Sequence, residues 1–73
     1  MKYTVIIEKG PTSYGAYVPD LPGCIAVAAS EQEVREQIRE AIDFHIQGLQ
    51  EEGIPVPLPA SSADEVEVDL HAA

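Results

Sequence analysis

Basic residues are scarce in this 73-residue sequence, in which four lysines and arginines stand against 13 acids for a formal net charge of −9. A chain this acidic repels phosphate backbones and anionic lipid, so nucleic acids and membrane surfaces are poor partners for it. A basic protein, in contrast, is attracted to it over long range. The charge is also uneven, since residues 1–29 are neutral, residues 30–53 carry −5 and residues 54–73 carry −4.

Cysteine is nearly absent as well, with Cys24 alone, which excludes an internal disulfide and suits the reducing cytoplasm. We expect Cys24 to be a small apolar filler and not a nucleophile. No Cys/His spacing fits a zinc site, and no apolar run approaches the roughly 18 residues that mark a membrane span. The N-terminus lacks the apolar core of a signal peptide. We therefore expect a cytoplasmic protein with no metal, no cofactor and no membrane contact.

Three strand-like segments fill the first part of the chain, at residues 2–9, 14–18 and 24–28. They are rich in β-branched and aromatic residues, and Gly10–Pro11 breaks the first from the second. The stretch GAYVPDLPGC separates the second from the third. Its two prolines lack backbone donors, so residues 19–23 cannot belong to a sheet ladder and are predicted to form a turn. Within this turn, Leu21 either folds back onto the core or is presented outward.

A long helix is predicted over residues 31–52. Ser30 followed three residues later by Glu33 matches a capping box, and Gly53 is a typical C-terminal stop. Apolar residues recur at helical spacing along one face. That stripe consists of Val34, Ile38, Ala41, Ile42, His45 and Leu49.

The segment after the helix has two parts. Alternating prolines over residues 54–59 favour a stiff, extended connector. Residues 65–70, EVEVDL, alternate acidic and apolar side chains, which predicts a half-buried fourth strand with an acidic outer face. Residues 71–73 are predicted to fray.

These elements predict an α+β fold: a single domain over residues 1–73 with the order β-β-β-α-β, in which one helix covers one face of the sheet. Short connections make the first three strands an antiparallel meander. By parity, Ile6 and Tyr17 fall on the uncovered face. Apolar groups there indicate self-association, so we expect a homo-oligomer with these two residues in its interface.

Catalytic chemistry is not indicated by any set of converging groups. The strongest combination, Asp20 with His45 and a helix acid around a metal, is not brought together by spacing. Ser30 is explained as a helix cap, and His45 is interpreted as a core residue making one hydrogen bond. We expect the protein not to be an enzyme.

The chain resembles the HicB-like antitoxins of type II toxin–antitoxin systems. The features that carry the likeness are the V-P-D-L-P-G-C stretch, the capped helix with A-I-D-F-H-I-Q-G-L, and the G-I-P-V-P exit. The resemblance implies a partial RNase H-like sheet, in which the fourth strand pairs beside the first. It also implies dimers or higher oligomers, and binding of a small, basic, HicA-like toxin that cleaves mRNA.

The resemblance and the acidic surface together give a set of candidate partner-binding residues. They are Tyr17, Asp20, Leu21, Pro22, Gly23, Glu36, Glu40 and Asp43. Many family members carry a C-terminal helix-turn-helix or ribbon-helix-helix segment, whereas this sequence ends at Ala73, so we expect no C-terminal DNA-binding domain and no direct DNA binding by it. The alternative function is that of a stand-alone structural or regulatory oligomer without a toxin partner.

Overall fold

The structure is a computed structural model that describes residues 1–71. It contains three strands, β1 (Ile6–Lys9), β2 (Tyr14–Tyr17) and β3 (Ile25–Ala28), followed by the helix α1 (Glu31–Glu51). The strands form one antiparallel sheet in the order β1-β2-β3. The α+β class, the meander and the single long helix that the sequence predicts are confirmed, and each strand is shorter than its predicted range.

Strand register divides the sheet into two faces. Ile6 pairs with Tyr17, and Tyr17 pairs with Ile25, so these three side chains form one cross-strand row. The neighbouring row, through Ala16, points to the other face, where α1 packs. The predicted placement of Ile6 and Tyr17 on the uncovered face therefore agrees with the register.

The core lies between the sheet and the first half of α1. It is small and wholly apolar, as expected for a domain of this length. Its buried members are Ala16, Val18, Leu21, Cys24, Ala28, Val34 and Ile38. Cys24 is thus an interior filler, as predicted, and Ile46, which the predicted stripe omits, also packs against this cluster.

Both ends of α1 are fixed by the residues that the sequence marks. The Glu33 N–H donates to the Ser30 hydroxyl oxygen at 3.2 Å, which satisfies one of the unpaired donors of the first turn. At the other end, Gly53 takes φ 70°, and the Ile54 N–H reaches back to the Leu49 carbonyl at 2.9 Å. This is a Schellman motif, which needs a residue with positive φ.

The fourth strand predicted at residues 65–70 is absent from the part of the chain that the structure describes. These residues join no ladder, and Val66, Val68 and Leu70 are 77, 69 and 94% exposed. Alternation gives a segment the ability to pair, but a strand also needs a neighbouring edge, and residues 65–70 pair with none in the described structure. The predicted frayed end falls partly on residues 72–73, which lie outside the described residues.

No helix among residues 1–71 is both long enough and apolar enough to cross a membrane.

Candidate protein-binding site

Two successive turns connect β2 to β3. The Leu21 N–H donates to the Val18 carbonyl at 3.1 Å, and the Cys24 N–H donates to the Leu21 carbonyl at 3.0 Å. The second turn has proline at its second position and Gly23 at its third with φ 86°, which is the type II pattern. The prolines and the glycine of this stretch are therefore explained by the backbone, and they build a rigid double turn.

Leu21 is the residue that anchors the double turn to the core. Its side chain is completely buried, in contact with the sheet–helix core. The sequence leaves open whether Leu21 folds back onto the core or is presented outward. In the structure it folds back onto the core. Leu21 is therefore wrong as a partner-binding residue, because a side chain with no exposed surface cannot contact another protein. Pro22 and Gly23, beside it, are exposed.

Asp20 holds the chain that follows the helix. Its Oδ2 accepts hydrogen bonds from the backbone N–H groups of Ala60 and Ser61, both at 2.9 Å, and its Oδ1 accepts one from the Ser61 hydroxyl at 2.8 Å. The bonds from the Ala60 N–H, the Ser61 N–H and the Ser61 hydroxyl favour the charged form and lower the pKa of Asp20 below 3.8.

The segment 57–61, which we call the strap, is also tied to the start of the sheet. The Tyr3 hydroxyl donates to the Pro57 carbonyl, and the Thr4 hydroxyl donates to the Ser61 carbonyl at 2.7 Å. Asp20 is thus a positioning residue for the strap. Local sequence patterns do not indicate this role, because its bonding partners lie 40 and 41 residues away.

Asp20→Ala is expected to speed hydrogen exchange at the Ala60 and Ser61 amides by on the order of tenfold, because each amide loses a charge-assisted acceptor. Asp64→Ala removes the same charge beyond the strap and is the matched control. The lowered pKa means that the carboxylate's contribution is complete above pH 3.8 and is lost as pH falls through the folded-state value. The wild type should therefore approach Asp20→Ala in acid. Equal exchange rates at the Ala60 and Ser61 amides in the wild type, Asp20→Ala and Asp64→Ala at neutral pH would contradict the role of Asp20 in holding the strap.

The uncovered side of the sheet, which we call the open face, is a row of apolar side chains. Ile25 and Val27 are 66 and 64% exposed, Tyr17 is 40% exposed, and Ile6 is half-buried. Gly15, between them, leaves a shallow depression of about 370 Å³. Parity reasoning identifies Ile6 and Tyr17, and β3 adds Ile25 and Val27 to the same face.

The outer side of α1 is acidic and carries one aromatic residue. Glu36, Glu40 and Asp43, three of the candidate partner-binding residues, are all exposed there. Beside them Phe44 is 79% exposed, a feature that the sequence analysis missed. The sequence does contain an indication of this exposure, since Phe44 falls outside the apolar stripe that faces the core. The structure does not bring these acids together with Tyr17, because the sheet lies between the helix and the open face.

The residues considered for catalysis do not assemble into a reactive site. Burial raises the pKa of the Cys24 thiol, which disfavours the thiolate. Asp20 has both oxygens engaged by the strap. Across residues 1–71, no three side chains of His, Cys, Asp or Glu are grouped so as to hold a metal ion. What the surface offers is an apolar sheet face next to exposed turns, which is the anatomy of a protein-binding surface.

Comparison with known proteins agrees with this description. The model of a family described as "HicB_like antitoxin of bacterial toxin-antitoxin system" matches residues 3–71. Among solved structures, one chain of a HicA3 and HicB3 toxin–antitoxin complex superimposes with a TM-score of 0.70 at 30% identity. The match covers 82% of this chain and 70% of that one.

Two curated relatives show how the chain compares in length. A UPF0150 protein of Thermoplasma acidophilum is 38% identical over 69 residues, covering 93% of this chain and 97% of the relative. An uncharacterised 14.9 kDa protein of Haemophilus phage HP1 is 39% identical over 57 residues, which is 78% of this chain. The chain spans only 43% of the length of the phage protein.

Proposed function

This chain belongs to the HicB-like antitoxin family, and from that premise we propose that it neutralises a small, basic, HicA-like toxin by covering the toxin's RNA-binding surface. The protein acts as a binding module, and no step of the neutralisation requires it to make or break a covalent bond. The proposal is supported by the structural likeness to a chain from a HicA3 and HicB3 complex.

The observation that carries the proposal is the open face. It presents an aromatic ring, Tyr17, flanked by the exposed aliphatic side chains of Ile25 and Val27. A few apolar and aromatic residues at the centre of an interface supply most of its binding energy. Contiguous apolar surface on a small protein marks such a contact.

The double turn places Pro22 and Gly23 at the rim of this face. The turns join the end of β2, at Tyr17, to the start of β3, at Ile25. Their exposed backbone is rigid, since three hydrogen bonds close the stretch between Val18 and Cys24. A rigid rim loses little entropy on binding, so these residues suit a contact with the toxin.

The negative charge of the protein favours its encounter with a basic toxin. With 13 acids against four bases, the protein attracts a basic partner, and the acids Glu36, Glu40 and Asp43 extend the negative surface along α1. Exposed charges of this kind raise the association rate more than the affinity. The association rate should therefore fall with added salt, while the dissociation rate changes less.

A pair of matched substitutions tests where the toxin binds. Ile25→Glu and Phe44→Glu each place one carboxylate on an exposed apolar position, the first on the open face and the second on α1. We expect Ile25→Glu to weaken toxin binding by at least about tenfold, because it introduces a charge into the apolar centre of the interface. Phe44→Glu should bind as the wild type does.

Binding is measured by calorimetry with a HicA-like toxin from the genome that encodes this chain, and neutralisation by protection of an mRNA from cleavage. Circular dichroism confirms that both variants fold. Loss of binding in Phe44→Glu alone would move the site to the helix. If no HicA-like toxin binds the wild-type protein, the antitoxin function is wrong.

The prediction that Ile6 and Tyr17 form an oligomer interface stays a prediction. Both residues lie on the open face, which the toxin occupies in this proposal.

A further inference from the structure

The open face contains a shallow depression of about 370 Å³ above Gly15. Gly15 lies on β2, the central strand, where it pairs with Glu8 of β1 and with Val27 of β3. Residues that pair directly across strands share one face of the sheet. The depression therefore lies where the side chain of any other residue at position 15 would stand, and we call it the Gly15 pocket.

The fold itself does not require a glycine at position 15. The φ of Gly15 is not positive, unlike those of Gly23 and Gly53. Among the described residues, a Cβ at this position would meet only the Ala26 carbonyl oxygen, at 4.0 Å, which is an ordinary van der Waals distance. Glycine inside a strand lowers stability relative to alanine, and it often marks a place where another molecule approaches the backbone closely. This glycine therefore points to a group from outside the chain.

The walls of the Gly15 pocket differ in their chemistry. Tyr17 stands about 7 Å along the same strand and is 40% exposed. Val27 stands beside the pocket on β3 and is 64% exposed. Glu8, also exposed, stands on the other side on β1. The pocket thus combines an aromatic wall, an aliphatic wall and a carboxylate around a floor of bare backbone.

The Glu8 carboxylate is not paired with a cation of its own chain. Within residues 1–71, no basic side chain forms an ion pair with it. Lys9 also borders the pocket, but it pairs with Tyr14 in the next row, so its side chain points to the opposite face of the sheet. A carboxylate at the edge of an apolar surface favours a partner that brings a positive charge to that edge.

The arginine side chain matches all of these walls. Its apolar stem can lie over the Gly15 backbone, and its planar guanidinium both stacks on aromatic rings and forms paired hydrogen bonds with carboxylates. Tyr17 and Glu8 are diagonal neighbours on adjacent strands, about 7–8 Å apart, so one guanidinium can contact both. A lysine ammonium is a compact, strongly hydrated charge that cannot stack in this way. An apolar side chain would leave the carboxylate without a partner.

The size of the pocket also favours a single side chain over a free small molecule. Its volume of about 370 Å³ is near the lower limit of roughly 300 Å³ for small-molecule sites. Such sites enclose most of their ligand, whereas this pocket is a shallow depression on an exposed sheet face. The rest of a ligand therefore has to be held by the surrounding open face, as it is for a side chain that belongs to a bound protein.

We propose that the Gly15 pocket receives one arginine side chain of the toxin, which makes Gly15 and Glu8 specificity-determining residues of the open face. This inference rests on the proposed function and adds to it the chemical group that is recognised. The guanidinium lies against the Tyr17 ring and donates hydrogen bonds to the Glu8 carboxylate. The pocket thus gives an apolar face a way to select a basic partner at close range.

Two substitutions in the pocket test this role with the HicA-like toxin. Gly15→Val fills the pocket with a residue that strands favour, and it should weaken toxin binding by at least about tenfold while the protein stays folded. Glu8→Gln keeps the shape of the side chain without its charge and should weaken binding by about tenfold. Glu52→Gln makes the same change at an exposed residue after α1 and should bind as the wild type does. Calorimetry measures the affinities, and circular dichroism confirms folding.

A double-mutant cycle identifies the residue of the toxin that enters the pocket. Each arginine and lysine of the toxin is replaced by glutamine in turn, and each variant is measured against the wild-type protein and against Glu8→Gln. Replacement of one arginine should weaken binding to the wild type by at least about fivefold more than binding to Glu8→Gln. Coupling of Glu8 to a lysine, or to no residue, would overturn the assignment of an arginine. Unchanged binding by Gly15→Val would overturn the pocket.

A titration without the toxin separates this inference from the antitoxin function. N-acetyl-arginine amide should shift the amide NMR signals of Glu8, Gly15 and Val27, and N-acetyl-lysine amide at the same concentration should shift them less. Glu8→Gln should remove the shifts. Shifts in a wild-type protein that binds no HicA-like toxin would leave the pocket standing, as a site for an arginine of another basic protein, while the antitoxin function fails. The absence of shifts at these residues in a protein that does bind the toxin would overturn the pocket alone.

Discussion

Leu21→Ala is expected to lower the free energy of unfolding by about 3 kcal/mol, the usual cost of truncating a fully buried leucine. Leu21 has no exposed surface, and it contributes one of the two largest wholly buried side chains in the core. A chain of this length has a total stability of about 4–11 kcal/mol. One substitution in a turn should therefore remove a large fraction of the stability of the domain, as measured by urea denaturation.

The matched control for this substitution is Leu58→Ala. It makes the same chemical change at a side chain that is 72% exposed, and it should change stability by less than about 0.5 kcal/mol. If the two variants unfold at the same urea concentration, Leu21 does not anchor the double turn. The comparison also separates stability from binding, because Leu21 has no surface with which to touch a partner.

Val34→Asp is expected to leave the protein unfolded at neutral pH. Val34 is fully buried beneath the sheet, and the described core contains no buried polar or charged side chain that could pair with the new carboxylate. An uncompensated buried charge costs about 4 kcal/mol or more, which is comparable to the whole stability of a small domain. The measurement is the helical signal at 222 nm in circular dichroism.

The stability of Val34→Asp should change with pH in a defined direction. Burial raises the pKa of the introduced carboxyl in the folded state, so the protonated form is the one that the core tolerates. The variant should therefore lose less stability near about pH 4 than at neutral pH. Gln37→Asp adds the same group on the exposed side of α1 and should remain folded, at a cost of less than about 1 kcal/mol. A folded Val34→Asp at neutral pH would contradict the placement of the helix.

The parts of the fold that sequence reasoning predicts are those determined by near neighbours. Ser30, Glu33 and Gly53 mark the ends of α1 because caps act within one turn of the helix. The type II turn at Gly23 is likewise specified by two adjacent residues. Short connections then make the antiparallel meander almost inevitable.

The parts that the sequence does not determine depend on distant partners. Asp20 looks like an exposed loop acid, and only the folded chain brings Ala60 and Ser61 to it. The alternation of residues 65–70 is a real signal for pairing, but it does not say which edge, or which copy of the chain, provides the partner. Only part of the open face was predicted. Parity along each strand identifies Ile6 and Tyr17, whereas the contribution of β3 depends on its register with β2.

The bond between Asp20 and the strap also has a consequence for the order of folding. It joins residues 40 positions apart and so closes a ring around β3 and α1. Such a ring closes only after the helix has brought its C-terminal end back to the sheet, since long closures lag behind local structure. Substitutions at Asp20 should therefore speed unfolding and leave the refolding rate nearly unchanged, because this contact forms after the barrier has been crossed.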